Sequence, residues 1–391
     1  MNRRNLLKQL GVGVAASSLL TPARAAAEIS NSADDPHVAG ESPARFAGPI
    51  RLDRNENAYG ASAKAVDAIR QSAGQISRYE DANALRKTIA AHHAESHQAT
   101  RAVTADNIVL GCGSTDVLRM AACAFLGAGK TLIQATPTCE LMASYARQKG
   151  AAVEDVPLRK DFAHDLEAML EHAGGGEAGL IYICNPNTPT GTLTTRKNLE
   201  GFLGKVPSSF HVLIDEAYHQ YAGGSGAYLS FVEHPSENPR VMVTRTFSAA
   251  HGLAGARVGY AVASAEAAAA MNRAAMPFPL NRTGIAAASA AISDPQHVER
   301  CVKRNFDDRQ EFLNQVNARM LRCLDSHANF VCLNVMRPAG EIFEHYAKNN
   351  FILAPLIASM PNYLRISLGT PQEMHEFWRV WDLLGSHPMS M

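Results

Sequence analysis

The sequence predicts an α/β fold with a smaller unit added toward the C-terminus. From Asn107 onward, short apolar runs alternate with amphipathic stretches of helical period, the pattern of strands connected by covering helices. After a Pro-rich break at Met276–Asn281, a long polar helix over about 295–316 leads to further strand-like runs. With 391 residues, 46% of them apolar and 19% charged, the chain is long enough for a large single core or two domains and too apolar to be disordered.

Taken in order, Ile50–Gly60 reads as a short extended piece and a turn around Asn55-Glu56-Asn57, followed by a helix over 62–73. Ser77-Arg78-Tyr79-Glu80-Asp81 precedes a helix starting near Ala84. Ile108–Leu110 predicts a strand, Gly111–Thr115 a turn, and 116–126 a helix. Strands follow at 131–134, 152–157, 180–184, 212–215 and 241–244, with helices to Lys149 and over 165–172. Thr244–Tyr260 reads as a strand end, a Gly/Ala-rich turn and a second strand headed by Arg257. An Ala-rich helix follows Val262, and the last strands fall at 329–335 and 363–370.

The first residues read as a targeting segment and not as part of the fold. Arg3-Arg4, an apolar run over 10–20 and Ala23-Arg24-Ala25 predict a twin-arginine export signal over 1–27, with a Sec signal or an uncleaved membrane anchor as the alternatives, then a flexible leader over 28–44. This places the mature protein in the periplasm or outside the cell, with no membrane contact after cleavage. A formal net charge of zero removes the electrostatic case for nucleic acid. The seven cysteines form no CxxC pair, so no metal site is expected and most are read as buried free thiols.

Several short motifs carry chemistry. Gly113-Ser114-Thr115 opens a helix, where free N–H groups and the helix dipole favour an anion. Ser248 and Arg257 flank small residues that let a ligand approach the backbone, and can place a hydroxyl and a forked cation on one phosphate. Asn185-Pro186-Asn187-Thr188-Pro189-Thr190-Gly191 is the most specific motif. Asp215 ends a strand 30 residues after Asn185 and 42 before Arg257. Arg365 interrupts an apolar strand and needs an anionic partner.

Together, from Arg51 to Thr370, these motifs resemble the fold-type I pyridoxal-phosphate (PLP) aminotransferases, especially their histidinol-phosphate aminotransferase-like branch. The resemblance implies a large domain with a mainly parallel seven-stranded sheet and a small α+β domain. It divides the chain into an N-terminal segment over 45–75 that joins the small domain, a PLP-binding domain over 76–280, and a bridging helix and C-terminal domain over 281–391. It implies that Gly113, Ser114, Thr115, Ser248 and Arg257 hold the cofactor phosphate, with Tyr79 reaching the phosphate from a partner subunit of a homodimer. Asp215 would face the ring nitrogen, keeping it protonated. Tyr218, with either Asn187 or Thr188, would face the phenolic oxygen. Asn57, Tyr59 and Arg365 would meet an amino acid or 2-oxo acid substrate, Arg365 gripping its carboxylate.

Three positions depart from the family pattern. Ala249 stands where the family has its cofactor-linking lysine, Cys139 where it has a stacking aromatic, and Thr188 where it has an asparagine. His251 is the ionisable side chain nearest Ala249 in the sequence and is expected to be a packing residue. The expected activity is amino-group transfer between an amino acid, or an amino-phosphate such as histidinol phosphate, and a 2-oxo acid. Three readings of Ala249 stay open: an engineered Lys→Ala change, a natural variant with altered or no chemistry, and a pseudo-enzyme that only binds PLP or another ligand.

Overall fold

The computed structural model describes residues 48–95, 103–175, 178–232 and 238–384. The expected export signal and leader lie outside the described residues. In chain order the elements are β1 (Ile50–Leu52), α1 (Ala63–Ala73), α2 (Asn83–Glu95), β2 (Ile108–Cys112), α3 (Ser114–Phe125), β3 (Thr131–Thr136), α4 (Leu141–Gln148), β4 (Ala152–Pro157), α5 (Leu166–Gly174), β5 (Gly179–Cys184), α6 (Arg196–Leu203), β6 (Phe210–Asp215) and α7 (His219–Ala222). There follow β7 (Val241–Thr246), β8 (Val258–Val262), α8 (Ala265–Asn272), α9 (Arg282–Ile292), α10 (Pro295–Ala318), β9 (Arg322–Cys323), β10 (Phe330–Asn334), α11 (Ala339–Lys348), β11 (Phe351–Leu353), β12 (Tyr363–Ser367) and α12 (Pro371–Asp382).

Seven strands form one sheet in the order β2-β8-β7-β6-β5-β3-β4. Only β8 runs antiparallel to its neighbours. The central strands β5 and β7 are buried at every residue, as strands covered by helices on both faces must be. The apolar side chains of β5, β6 and β7 therefore divide between clusters on the two faces: Tyr182, Leu213 and Met242 pack with α3, α4 and α8, while Ile181, Ile214 and Val243 pack with α5 and α6.

A second core gathers Leu52, Phe312, Val331, Ile366, Phe377 and Trp378 around a three-stranded sheet, β12-β10-β9, and the parallel pair β1-β11. The first strand of the described chain thus pairs, residue for residue, with Phe351–Leu353 some 300 positions away (Ile50 with Phe351). α10, 24 residues long, runs from the Tyr218–Ala250 region into this core through Phe312 and Val316.

Five helices had no separate expectation from sequence: α6, α7, α9, α11 and α12. α9 hides in an Ala-rich run and starts at Asn281, whose side chain accepts from the Gly284 N–H. α11 follows Pro338. α12 starts at Thr370, where Glu373 completes a capping box, so the predicted final strand over 363–370 ends three residues early at Ser367.

Candidate active site

The site is assembled at the C-terminal ends of β5, β6 and β7, the place where parallel sheets of this kind hold ligands. Its floor is Asp215. The register of β6 on β7 sets Asp215 directly opposite Thr244. Thr244 donates its hydroxyl to Oδ1 at 2.9 Å, and Tyr182 from β5 donates to Oδ2 at 2.9 Å. Burial of the whole carboxyl pushes its pKa up, while the Tyr182, Thr244 and Ala217 N–H hydrogen bonds partly offset this. A cation placed against Asp215 would relieve that desolvation.

One end of the site is a cradle for an anion. Gly113, at φ 76°, precedes α3, so the first N–H groups of that helix lack intrahelical partners. A Cβ on Gly113 would stand 2.3 Å from Nη2 of Arg257, so only glycine lets the guanidinium approach. Arg257 itself has a left-handed φ of 58°, and its Nη1 lies 3.5 Å from the Ser248 hydroxyl. Gly259 makes the same kind of room: a Cβ there would meet the Ser114 nitrogen at 2.2 Å. Four residues expected from sequence, Gly113, Ser114, Ser248 and Arg257, are thus brought together, and Thr115 lies in the same helical turn, half-buried.

The middle is walled by the Asn185–Gly191 turn and by Tyr218. The Asn187 amide is consumed inside the turn: Oδ1 accepts from Thr138 at 2.7 Å, and Nδ2 donates to Pro137 O at 3.0 Å and Thr190 Oγ1 at 2.9 Å. Thr188 instead lies beside Tyr218, whose hydroxyl accepts from Asn55 Nδ2 at 2.9 Å. Burial pushes the Tyr218 phenol up to about 12, so it is protonated at neutral pH. The Cys139 thiol lies near Tyr182, and burial raises it to about 11. It presents a neutral thiol and no flat face to a ring.

Ala249 sits between cradle and floor, 2% exposed. It packs with Tyr221 and Ala250 against Tyr218, Val298 and Val302, none of which carries an amine. His251 turns away from this position. Its ring lies 4.9 Å from the Phe247 ring, its Nε2 faces Gln220 at 3.4 Å, and its buried Nδ1 has no partner. Burial drops its pKa to about 3, which keeps it neutral at neutral pH.

At the far end, Arg365 donates from Nη2 to the Asp53 carbonyl at 2.7 Å, while its Nε is buried without a partner. The unfilled donor marks a place for an anion. Asn57 donates to the Ala250 carbonyl at 3.0 Å and so lines the Ala249 side. Tyr59 reaches Asp308 on α10 at 2.5 Å with Arg304 stacked on its ring, so its hydroxyl is engaged within the chain. Tyr79 is 80% exposed and stacks on Phe278 at 4.3 Å, apart from the site of its own chain.

The sequence shows high similarity to known proteins over most of its length. The aminotransferase class I and II family model matches residues 47–380. The chain belongs to the aminotransferase class I and II family. It is 35% identical over 329 residues to the histidinol-phosphate aminotransferase of Bacillus velezensis, spanning 84% of this chain and 89% of the relative. It is 37% identical over 334 residues to that of Methylobacillus flagellatus, spanning 85% and 87%. Histidinol-phosphate aminotransferase from Sinorhizobium meliloti, solved in complex with pyridoxal-5'-phosphate, superposes with a TM-score of 0.78 at 27% identity, covering 86% of this chain and 92% of that one. The fold is that of the α/β fold-type I aminotransferases.

This aminotransferase-family site also contains residues that sequence reasoning missed. Asn55 is the junction of the site: its N–H donates to Ser367 Oγ at 2.7 Å, its carbonyl accepts from Asn329 at 2.9 Å, and its side chain holds Tyr218. Its position in the Asn-Glu-Asn turn was visible, but its partners lie more than 160 positions away. Tyr182 and Thr244 were hidden inside strands, since only register shows that both reach Asp215.

Proposed function

We propose that this chain binds PLP without a covalent link and presents it to a carboxylate-bearing amino acid or 2-oxo acid, with amino-group transfer crippled or altered at Ala249. The single observation that carries this is the contrast around Ala249: an intact anion cradle and a buried carboxylate floor enclose a position walled by side chains without an amine. The residues fit the cofactor's phosphate and ring nitrogen and do not fit its covalent tether. Ser248, Arg257 and the N-terminus of α3 would hold the phosphate, Asp215 the ring nitrogen, and Tyr218 with Thr188 the phenolic oxygen. Arg365 would orient the substrate carboxylate through its unpartnered Nε.

When bound, PLP supplies an electron sink that allows bonds at the substrate α-carbon to break. The chain's own residues then have limited tasks. Asp215 keeps the ring nitrogen protonated, Tyr218 and Asn55 fix the phenolic oxygen, and the packed wall at Ala249 excludes water. Moving a proton at the α-carbon is a lysine's task in this fold, and neither Ala249 nor the buried neutral His251 performs it.

The test is spectroscopic. Full-length protein is titrated with PLP, treated with borohydride and weighed. Saturable binding without a covalent adduct, converted to a covalent adduct and restored turnover by Ala249→Lys, supports the proposal. Failure to bind PLP sinks it and leaves a protein of this fold that binds another anion.

Two further parts of the reading are proposed with it. Exposed Tyr79, Phe278, Met276 and Ile76 support a homodimer in which Tyr79 reaches the partner's phosphate cradle. Light scattering checks the mass, and Tyr79→Ala should then weaken PLP binding. Arg3-Arg4 and the following apolar run support twin-arginine export to the periplasm. Replacing both arginines by lysine should retain the protein in the cytoplasm.

A further inference from the structure

We propose that a cavity between α5 and α6, sharing no residue with the candidate active site, binds a small organic anion that carries a carboxylate or phosphate on an apolar body. The cavity has a volume of about 270 Å³. Leu166, Leu170 and Phe202 give it apolar walls, and Arg159, Lys197 and Lys205 surround it with Glu167 as the one carboxylate. Among the described residues, Lys197 and Lys205 make no ion pair, and the Arg159–Asp161 contact is 3.9 Å long with both side chains more than half exposed. The local field therefore favours a negative guest.

His164 supplies the second, independent observation. It lines the cavity, yet it is 3% exposed, and its Nε2 has no partner. Thr194 Oγ1 accepts the His164 backbone N–H at 3.0 Å and lies 2.7 Å from His164 Nδ1. The Thr194 hydroxyl has one hydrogen and two acceptor lone pairs, so it pairs with Nδ1 in either tautomer, and in both the ring's other nitrogen, Nε2, is left over. Burial lowers the His164 pKa to about 4, so the ring stays neutral. His164 thus keeps a buried ring nitrogen without a partner beside the cavity, a costly arrangement that a polar group of a guest would relieve after a small shift of the ring.

The apolar walls add a requirement of their own. A bare inorganic anion would leave Leu166 and Phe202 uncovered, whereas a phenyl or branched alkyl body would bury them. The cationic rim chooses the charge, and the walls choose the body.

The experiment is calorimetric titration of phenyl phosphate, phenylacetate and inorganic phosphate into full-length Arg257→Ala protein without PLP, so that the active-site cradle lacks its cation. Phenyl phosphate or phenylacetate should bind at one site, and whichever is tighter assigns phosphate or carboxylate as the preferred head group. Lys197→Ala with Lys205→Ala should weaken that binding at least about tenfold. Glu167→Gln should tighten it, a gain that an unfolded variant cannot mimic. Inorganic phosphate should bind several-fold more weakly than phenyl phosphate. Unchanged affinity in the double-lysine variant, equal affinity for inorganic phosphate, or no binding of any of the three overturns the proposal. Failure of wild-type protein to bind PLP counts against the proposed function alone, because the lysine and Glu167 variants report on this cavity.

Discussion

The phosphate cradle and the Ala249 wall are neighbours on one loop, eight residues from Ala249 to Arg257, and they have opposite characters. The cradle keeps every part that an anion needs: a glycine with no room for a Cβ, a left-handed arginine, a hydroxyl and free helix N–H groups. The wall has no ionisable amine and is as tightly packed as a core. Under the proposed function, binding and chemistry are separable in this protein. Binding would rest on backbone geometry that several residues enforce together, whereas proton transfer would rest on one side chain, so one substitution would remove the second and spare the first.

The largest expected effect attacks the wall. Ala249→Lys restores a general acid–base group where the site points, and turnover of amino acid with 2-oxo acid should rise by about a hundred- to ten-thousand-fold. Steady-state assays on both proteins measure it. An unchanged rate would mean that the wall is not where the chemistry is lost.

Next comes the cradle. Arg257→Ala removes charge-assisted hydrogen bonds worth about 1.5–3 kcal/mol, so the PLP dissociation constant should rise about ten- to a hundred-fold. Equilibrium absorbance titration checks this. If Ala249→Lys and Arg257→Ala changed affinity equally, the separation of binding from chemistry would be broken.

Asp215→Asn sharpens the comparison because its two effects have opposite signs. The carboxyl's folded pKa is raised by burial, so its contribution to stability is present below the ordinary carboxylate pKa and is lost as pH rises through the raised value. Removing the charge should therefore stabilise the cofactor-free protein at neutral pH, little at acidic pH, while weakening PLP binding. Thermal melts at pH 4 and pH 7.5, with and without PLP, give all the required numbers. A variant that is destabilised without PLP at neutral pH would show that the hydrogen bonds from Tyr182 and Thr244 outweigh the desolvation.

The smallest effect concerns His251. Its folded pKa of about 3 lies below the usual 6.5, so the unfolded chain takes up its proton first and stability falls as pH drops from 6.5 toward 3. His251→Gln should flatten part of that loss in denaturant melts at pH 7 and pH 5. His93 and His164, lowered to about 3 and about 4, keep contributing the rest. Turnover of the Ala249→Lys protein should not change when His251→Gln is added. A large drop would restore histidine as a proton carrier.

Much of the site was legible because its signals are local. Gly113 before a helix, Asp215 at a strand end and Arg257 after a Gly/Ala-rich turn are each readable within a few residues, since strand–turn–helix punctuation uses Gly, Pro and capping residues. The choice between Asn187 and Thr188 was not legible. Both side chains are short and polar, and only the closed turn shows that Thr138, Pro137 and Thr190 already occupy the Asn187 amide. Asn55 escaped for a related reason. Its turn is a local signal, but its work consists of bonds to Tyr218, Asn329 and Ser367, which the chain brings together only by folding.

By itself, the sequence determined the alternation of strands and helices, the family motifs in their order, and the alanine at residue 249, because periodicity and residue identity are properties of the chain. Tertiary structure alone decided what those residues face. The register of β6 on β7 gave Asp215 its Thr244 partner. The pairing of β1 with β11 carried Asn55 into the site, and the packing of α10 closed the wall around Ala249 with Val298 and Val302. Each depends on contacts across long stretches of chain, where closure entropy is offset only when a whole core forms at once. For that reason, no local window of the sequence reveals them.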